Sequence, residues 1–209
     1  MTQKFDVKRD WKHLYKPSAQ AYSQIDVPPL DYIGVDGAGD PNRAIEYTQA
    51  VEALYAVAYK AKFLSKNELG RDYVVPPLEG LWWAEDMDSF ARRDKSAWFW
   101  TMLILLPEWV TDTMLAEACS RAAKAKDLPA LPGLRKRSLH EGLSVQIMHI
   151  GSYDDEGPVL EHLHTVYMPE HGLTFNGKHH EIYLSDPRRT VPEKLKTILR
   201  QPVRPIRMR

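Results

Sequence analysis

The chain has 209 residues, of which 44% are hydrophobic and 27% are charged, so its composition is that of a globular protein and not of a disordered chain. Its 28 basic and 28 acidic residues cancel, which leaves no overall charge to attract nucleic acid or an anionic membrane. The single cysteine and the absence of an N-terminal apolar segment favour a reducing, cytoplasmic setting. The longest apolar run, at 102–106, or at 98–106 if Thr101 is allowed, is far shorter than the ~20 residues that cross a bilayer.

The first half of the chain predicts a strand, a helix and two more strands. Asp40-Pro41 is typical of a helix start, and apolar residues three or four apart follow it. The predicted elements are an irregular arm with one short helix at 1–30, a strand at 31–36, a helix from Asp40 to about Lys66, strands at 81–84 and 98–106 around a charged loop at 85–95, and a helix from about Thr111 that ends before Pro129.

The second half repeats this order with little sequence similarity. Gly172 is typical of a helix stop. The predicted elements are strands from about Leu134 and at 144–150, a turn at 151–157, a helix from Pro158, a hairpin-like turn at 174–177, a last strand at 180–185, and a basic tail at 188–209 with one short helix near 193–199.

Two βαββ units therefore indicate an α+β fold with antiparallel sheets. Neither helix–sheet layer is large, so we predict that both share one core and form a single domain over 1–209. Its parts are an N-terminal arm at 1–30, a first βαββ unit at 31–106, an inserted helix at 107–133, a second βαββ unit at 134–187, and the basic tail at 188–209.

Sharp catalytic and metal motifs are absent from the sequence. Cys119 lies on the apolar face of a predicted helix and is expected to be a buried structural thiol. The eight histidines show no metal-ligand spacing, so neither a metal nor another cofactor is predicted. The basic tail lacks interleaved aromatic residues and is expected to be a solvated segment, not a nucleic-acid arm.

Tryptophans are concentrated in one stretch of the chain, and Trp98 and Trp100 alternate along a predicted strand, so their side chains share one face. About half of these indoles would fill the core. The others, on a sheet face that helices leave uncovered, would line an aromatic cleft for a small molecule. The candidates are Trp82, Trp83, Trp98 and Trp100.

The predicted strand at 180–185 supplies polar partners. Ile182 and Leu184 share one face and are expected to meet the helices, while Glu181 lies on the other face with His179, Tyr183 and Ser185. A carboxylate is unusual in a strand. Either this face is open to water and Glu181 is merely solvated, or Glu181 is a functional carboxylate in an apolar cleft, where it would suit a general base. His149, from a neighbouring strand, is a further candidate.

Five segments resemble the GyrI-like small-molecule-binding family, and they span nearly the whole chain. They are Gly177–Arg189, Pro192–Lys196, Met148–Tyr153, Leu14–Pro17 and Asp36–Asn42. The last two resemble the stand-alone bacterial branch of the family. The resemblance implies a pseudo-symmetric pair of βαββ units with a ligand cleft between the halves, and a ligand contact at the position of Glu181.

The resemblance also implies an activity, because some stand-alone members are thought to hydrolyse cyclopropanoid genotoxins. In that chemistry Glu181 would deprotonate a water, and Tyr183, Tyr153 or His149 would donate a hydrogen bond to a developing oxyanion. The tryptophans would stack on the planar compound. The chain has no recognisable helix-turn-helix, so we expect a stand-alone protein and not a transcription regulator.

Two alternatives remain open from the sequence. The chain could be a non-catalytic multidrug binder, in which Glu181 and the indoles capture hydrophobic cations. It could also be a gyrase-inhibitor-like module that contacts a protein partner, although no segment indicates one. The expected partner is a hydrophobic aromatic small molecule.

Overall fold

The structure, a computed structural model, describes residues 4–85 and 94–206. Most of the charged loop predicted at 85–95 lies outside these residues. The chain forms two compact units, one of Met1–Asp10 with Leu30–Leu139 and the other of Trp11–Pro29 with His140–Arg209. Within the described residues, no helix is long and apolar enough to span a membrane.

Strands and helices alternate along the chain in a mixed α+β order. The strands are β1 (Ser23–Val27), β2 (Leu30–Ala38), β3 (Leu78–Trp83), β4 (Phe99–Leu105), β5 (Arg135–Leu139), β6 (Gly142–Ile150), β7 (Leu173–Phe175), β8 (His179–Tyr183) and β9 (Lys196–Pro205). The α-helices are α1 (Val7–Asp10), α2 (Lys12–Tyr15), α3 (Ile45–Leu69), α4 (Asp112–Ala125), α5 (Gly157–His162) and α6 (Met168–Glu170), and a π-helical turn at Leu163–Tyr167 joins the last two.

The first unit contains an antiparallel sheet in the order β3-β4-β2-β5. Helix α3 buries Leu54, Val57, Ala61 and Leu64, whose spacing of three or four keeps them on one face of the helix. The helix begins at Ile45 and not at Asp40, because the Asp40 carboxylate accepts the backbone N–H of residue 42 in a preceding turn.

The second unit repeats this arrangement. Its antiparallel sheet has the order β8-β9-β6-β1, and β7 pairs with the far end of β9. In each unit the three strands of the βαββ motif thus lie in the order second, third, first, and a strand from elsewhere in the chain, β5 or β1, extends the sheet. The predicted duplicated βαββ fold with antiparallel sheets is confirmed. Gly172, with φ 64°, follows the helical segment as predicted.

The predictions for two segments are wrong, because both segments form strands in the structure. Residues 23–27 of the expected arm form β1, and residues 196–205 of the expected solvated tail form β9, in place of a short helix. Strand β9 lies between β6 and β8, and seven of its ten residues are buried. Its basic residues and prolines hid its strand character, because exposed tails have the same composition. Strand β5, which we assigned to the second βαββ unit, pairs with β2 of the first unit.

The close packing of Gly37 against Trp100 leads to a prediction about stability. Gly37 pairs with Trp100 across β2 and β4, and a Cβ atom at this position would lie 2.1 Å from the buried indole ring. We expect Gly37→Ala to lower the free energy of unfolding by about 1–3 kcal/mol, because a close-packed core resists added volume. Urea unfolding monitored by circular dichroism measures this difference.

The matched control is Gly133→Ala, whose Cβ would meet only one atom, at an ordinary 4.0 Å. Its free energy of unfolding should stay within about 1 kcal/mol of the wild type. Equal effects of both substitutions would contradict the role assigned to the Gly37–Trp100 contact.

Candidate functional site

The most distinctive polar group of the second unit is centred on Glu181 in β8. Its side chain is 13% exposed. The Tyr183 hydroxyl donates a hydrogen bond of 2.7 Å to Oε2, and Nε2 of His179 lies 3.3 Å from Oε1. Alternate residues of a strand share a face, and these contacts show that the three side chains form one cluster, as the sequence predicted.

The helical segment of this unit covers the same face, contrary to expectation. Val145 and Val203 pack against Leu163 and Met168. Strand pairing places Val145 and Val203 on the face that carries Glu181, because paired residues of antiparallel strands point to the same side. Glu181 therefore lies on the sheet face against which the helical segment packs, and not on the opposite face.

Aromatic and imidazole rings surround the Glu181 cluster. The Tyr153 ring packs edge-on against Tyr183 at 5.6 Å. His164, in the π-helical turn, contacts Phe175 at 4.9 Å. Burial lowers the pKa of His164 to about 4, and the nearby His179 contributes to the shift. His164 is thus neutral at pH 7, and π-helical turns often occur at functional sites.

His149 lies in the same face, in the row that Thr197 and Tyr183 complete across β9 and β8. Its ring is 7% exposed, and Nε2 donates a hydrogen bond of 3.0 Å to the carbonyl oxygen of Ser152. His149 therefore anchors the turn that precedes Tyr153. Thr197 was not predicted as a site residue, because its segment was interpreted as a helix.

A buried charged network occupies the opposite face of the same sheet. Arg200 is 1% exposed and donates to Glu141 at 3.1 Å, to the Gln146 side chain at 3.1 and 3.2 Å, and to the Leu14 carbonyl at 2.9 Å. His180 donates from Nδ1 to Glu141 at 2.9 Å. The network joins β6, β8, β9 and α2, and it fixes the strand that carries Glu181.

Glu141 is the acidic residue of this network, and its neighbours determine its pKa. Burial alone would raise the pKa of Glu141, but the charges and hydrogen bonds of His180 and Arg200 outweigh this and lower it to about 2. Sequence reasoning missed the network because its members are far apart in the chain. The only local signal was a strand residue, His180, next to Glu181.

The four candidate tryptophans belong to the first unit. Trp82 and Trp100 are buried and contact Tyr47 of α3, at 6.3 and 5.3 Å between ring centroids. They therefore lie on the helix-covered face of their sheet, and the expectation that Trp100 lies on an uncovered face is wrong. Trp98 and Trp83 are half-buried.

Two further predictions concern Cys119 and metal binding. Cys119 is partly buried, and burial raises the pKa of its thiol, which keeps it in the unreactive protonated form. Among residues 4–85 and 94–206, no three His, Cys, Asp or Glu side chains are grouped so that they could hold a metal ion.

Comparison with known proteins places this geometry in a family. The model of the GyrI-like small molecule binding domain matches residues 20–204. The crystal structure of an uncharacterized conserved protein from Listeria innocua is 40% identical, with a TM-score of 0.88 over 96% of this chain and 100% of that chain.

A hydrolase from the same organism is also 40% identical, with a TM-score of 0.86 over 97% of this chain and 100% of that one. The C-terminal domain of EcmrR shares the fold, with 8% identity and a TM-score of 0.55 over 89% of this chain and 98% of that domain. A search of curated proteins finds no match.

The Arg200 network predicts a pH dependence of stability. The folded pKa of Glu141, about 2, lies below its ordinary value of 4.5, so its contribution is complete above pH 4.5 and is lost as the pH falls toward 2. We expect Glu141→Gln to lower the free energy of unfolding by about 3–5 kcal/mol at pH 7, because Arg200 loses its buried partner.

Urea unfolding at pH 7, 4.5 and 3 measures this difference. The gap between the wild type and Glu141→Gln should narrow as the pH falls below 4.5. A gap that is constant across this range would show that Glu141 is not the group that titrates. Glu161→Gln, at an exposed carboxylate of α5, is the control and should follow the wild type at every pH.

Proposed function

The chain belongs to the GyrI-like small molecule binding domain family, and from this premise we propose that it binds planar aromatic compounds and hydrolyses cyclopropanoid electrophiles, with Glu181 as the general base. The proposal depends chiefly on the largely buried Glu181 carboxylate and its two close contacts. Relatives that are 38–40% identical and described as hydrolases support a hydrolytic reaction.

Glu181 has the environment that a general base needs. Its contacts in the described part of the chain are Tyr183 and His179, and neither Lys nor Arg forms an ion pair with it there. The carboxylate is therefore oriented without being neutralised by a permanent cation. A base held in this way abstracts a proton efficiently if the reacting water lies within hydrogen-bond reach.

The reaction converts a strained ring into a phenol. Water attacks the unsubstituted cyclopropane carbon, a C–O bond forms, and one ring C–C bond breaks. The electron pair of that bond moves through the conjugated dienone to its oxygen, which becomes a phenolate. Glu181 takes the proton of the attacking water, and relief of ring strain lowers the barrier that positioning and a base must overcome.

The structure refines the roles proposed for the aromatic residues. Because the Tyr183 hydroxyl donates to Glu181, we assign Tyr183 to positioning of the base, and we assign donation to the developing oxyanion to Tyr153. Trp82 and Trp100 are buried and serve the core of the first unit, so we assign them no ligand contact.

The decisive variant is Glu181→Gln, which keeps the acceptor oxygen for Tyr183 but removes the base. We expect kcat for hydrolysis of a cyclopropanoid compound to fall about 10²–10⁴-fold, the usual contribution of general base catalysis. Mass spectrometry of the ring-opened, hydrated product over many turnovers measures this rate.

The control for this variant is Glu193→Gln, at an exposed carboxylate of the same unit, which should retain wild-type turnover. Stoichiometric retention of intact compound by the wild type would overturn the enzymatic proposal in favour of a non-catalytic binder. Equal turnover of the wild type and Glu181→Gln would exclude Glu181 as the base.

A further inference from the structure

Thr197 is a buried hydroxyl on the face that carries Glu181. It is 0% exposed, and Oγ1 has no hydrogen-bond partner among the described residues. Nearly all buried polar groups in proteins are hydrogen-bonded, so an unpartnered one calls for a physical explanation. A valine would fill the same space without leaving a polar group unsatisfied.

Strand register places Thr197 next to the proposed base. Thr197 pairs with Tyr183, and Leu199 pairs with Glu181, so Thr197 and Glu181 are diagonal neighbours on one face of adjacent strands. Cα atoms in this relation lie roughly 7–8 Å apart. Two oxygens that share one water, each at about 2.8 Å, lie up to about 5.5 Å apart, which the two side chains can achieve.

The side chains on either side of Thr197 form hydrogen bonds with other residues. The Tyr183 hydroxyl is directed at Glu181, and His149, on the other side of Thr197, is bonded to Ser152 through Nε2. The small threonine thus lies between two large rings in its row. Its hydroxyl is a polar side-chain group of this row that has no hydrogen-bond partner among the described residues.

From this geometry we propose that Thr197 and Glu181 together hold the water that attacks the substrate. One O–H of the water is donated to Glu181 and the other to Oγ1 of Thr197. The lone pairs of the water oxygen are then directed away from the sheet, toward the electrophilic ring carbon. Glu181 takes its proton during the attack, and Thr197 is a positioning residue that undergoes no chemical change.

This inference rests on the proposed hydrolysis but makes a claim of its own, which is that the Thr197 hydroxyl serves water binding and not folding. Thr197→Val should therefore raise the midpoint of thermal unfolding of the ligand-free protein by about 2–4 °C, because an unsatisfied buried hydroxyl is removed. With a cyclopropanoid compound it should lower kcat at least 10-fold while KM changes less than 3-fold. Thr197→Ser should restore most of kcat.

The matched control is Thr101→Val. Thr101 is also buried, at 2% exposure, but its hydroxyl donates to Asp36 at 2.7 Å. This substitution should lower the unfolding midpoint and leave kcat unchanged. A Thr197→Val protein that is less stable and fully active would behave like the control, and it would overturn the inference.

A high-resolution crystal structure of the wild-type protein separates this inference from the proposed function. The inference expects a water within about 3.2 Å of both Oγ1 of Thr197 and a Glu181 oxygen, and its loss in Thr197→Val. Absence of that water from the wild type would overturn the inference even if hydrolysis is observed. Its presence in a protein that does not hydrolyse the compound would retain the water site and overturn the hydrolysis.

Discussion

The interaction on which the second unit depends is the buried contact of Arg200 with Glu141. A guanidinium that is 1% exposed is tolerated only because its four hydrogen bonds reach three acceptor groups, the Glu141 carboxylate, the Gln146 side chain and the Leu14 carbonyl. His180 joins the same carboxylate from the neighbouring strand. The register of β8 against β9 is thereby fixed, and a slip of one residue would place Glu181 on the other face.

The two faces of that sheet carry different kinds of polar group. One face carries the buried charged network of Arg200, Glu141 and His180. The other carries Glu181, whose contacts are a hydroxyl and an imidazole, without a permanent cation in the described residues. Neighbouring residues of β8 alternate between the two faces, so His180 belongs to the charged network and Glu181 lies on the opposite face.

The two units have the same arrangement of strands but carry different side chains on the helix-covered face. In the first unit the helix-covered face is filled by Trp82 and Trp100 beneath Tyr47. In the second unit the corresponding face carries the Glu181 cluster beneath a helical segment that contains a π-helical turn. The duplicated fold therefore accommodates an aromatic core in one copy and a polar cluster in the other.

Local sequence patterns determined the duplicated βαββ order, the helix at α3, and the sharing of one face by His179, Glu181 and Tyr183, because these features depend on residues a few positions apart. Tertiary structure alone decided that the basic tail forms β9, that Arg200 is buried, and that helices cover the face of Glu181. A charged residue looks solvated in sequence, and only the partners supplied by distant segments show that it is buried. Thr197 escaped prediction for the same reason, since an isolated threonine has no pattern until its strand and its neighbours are known.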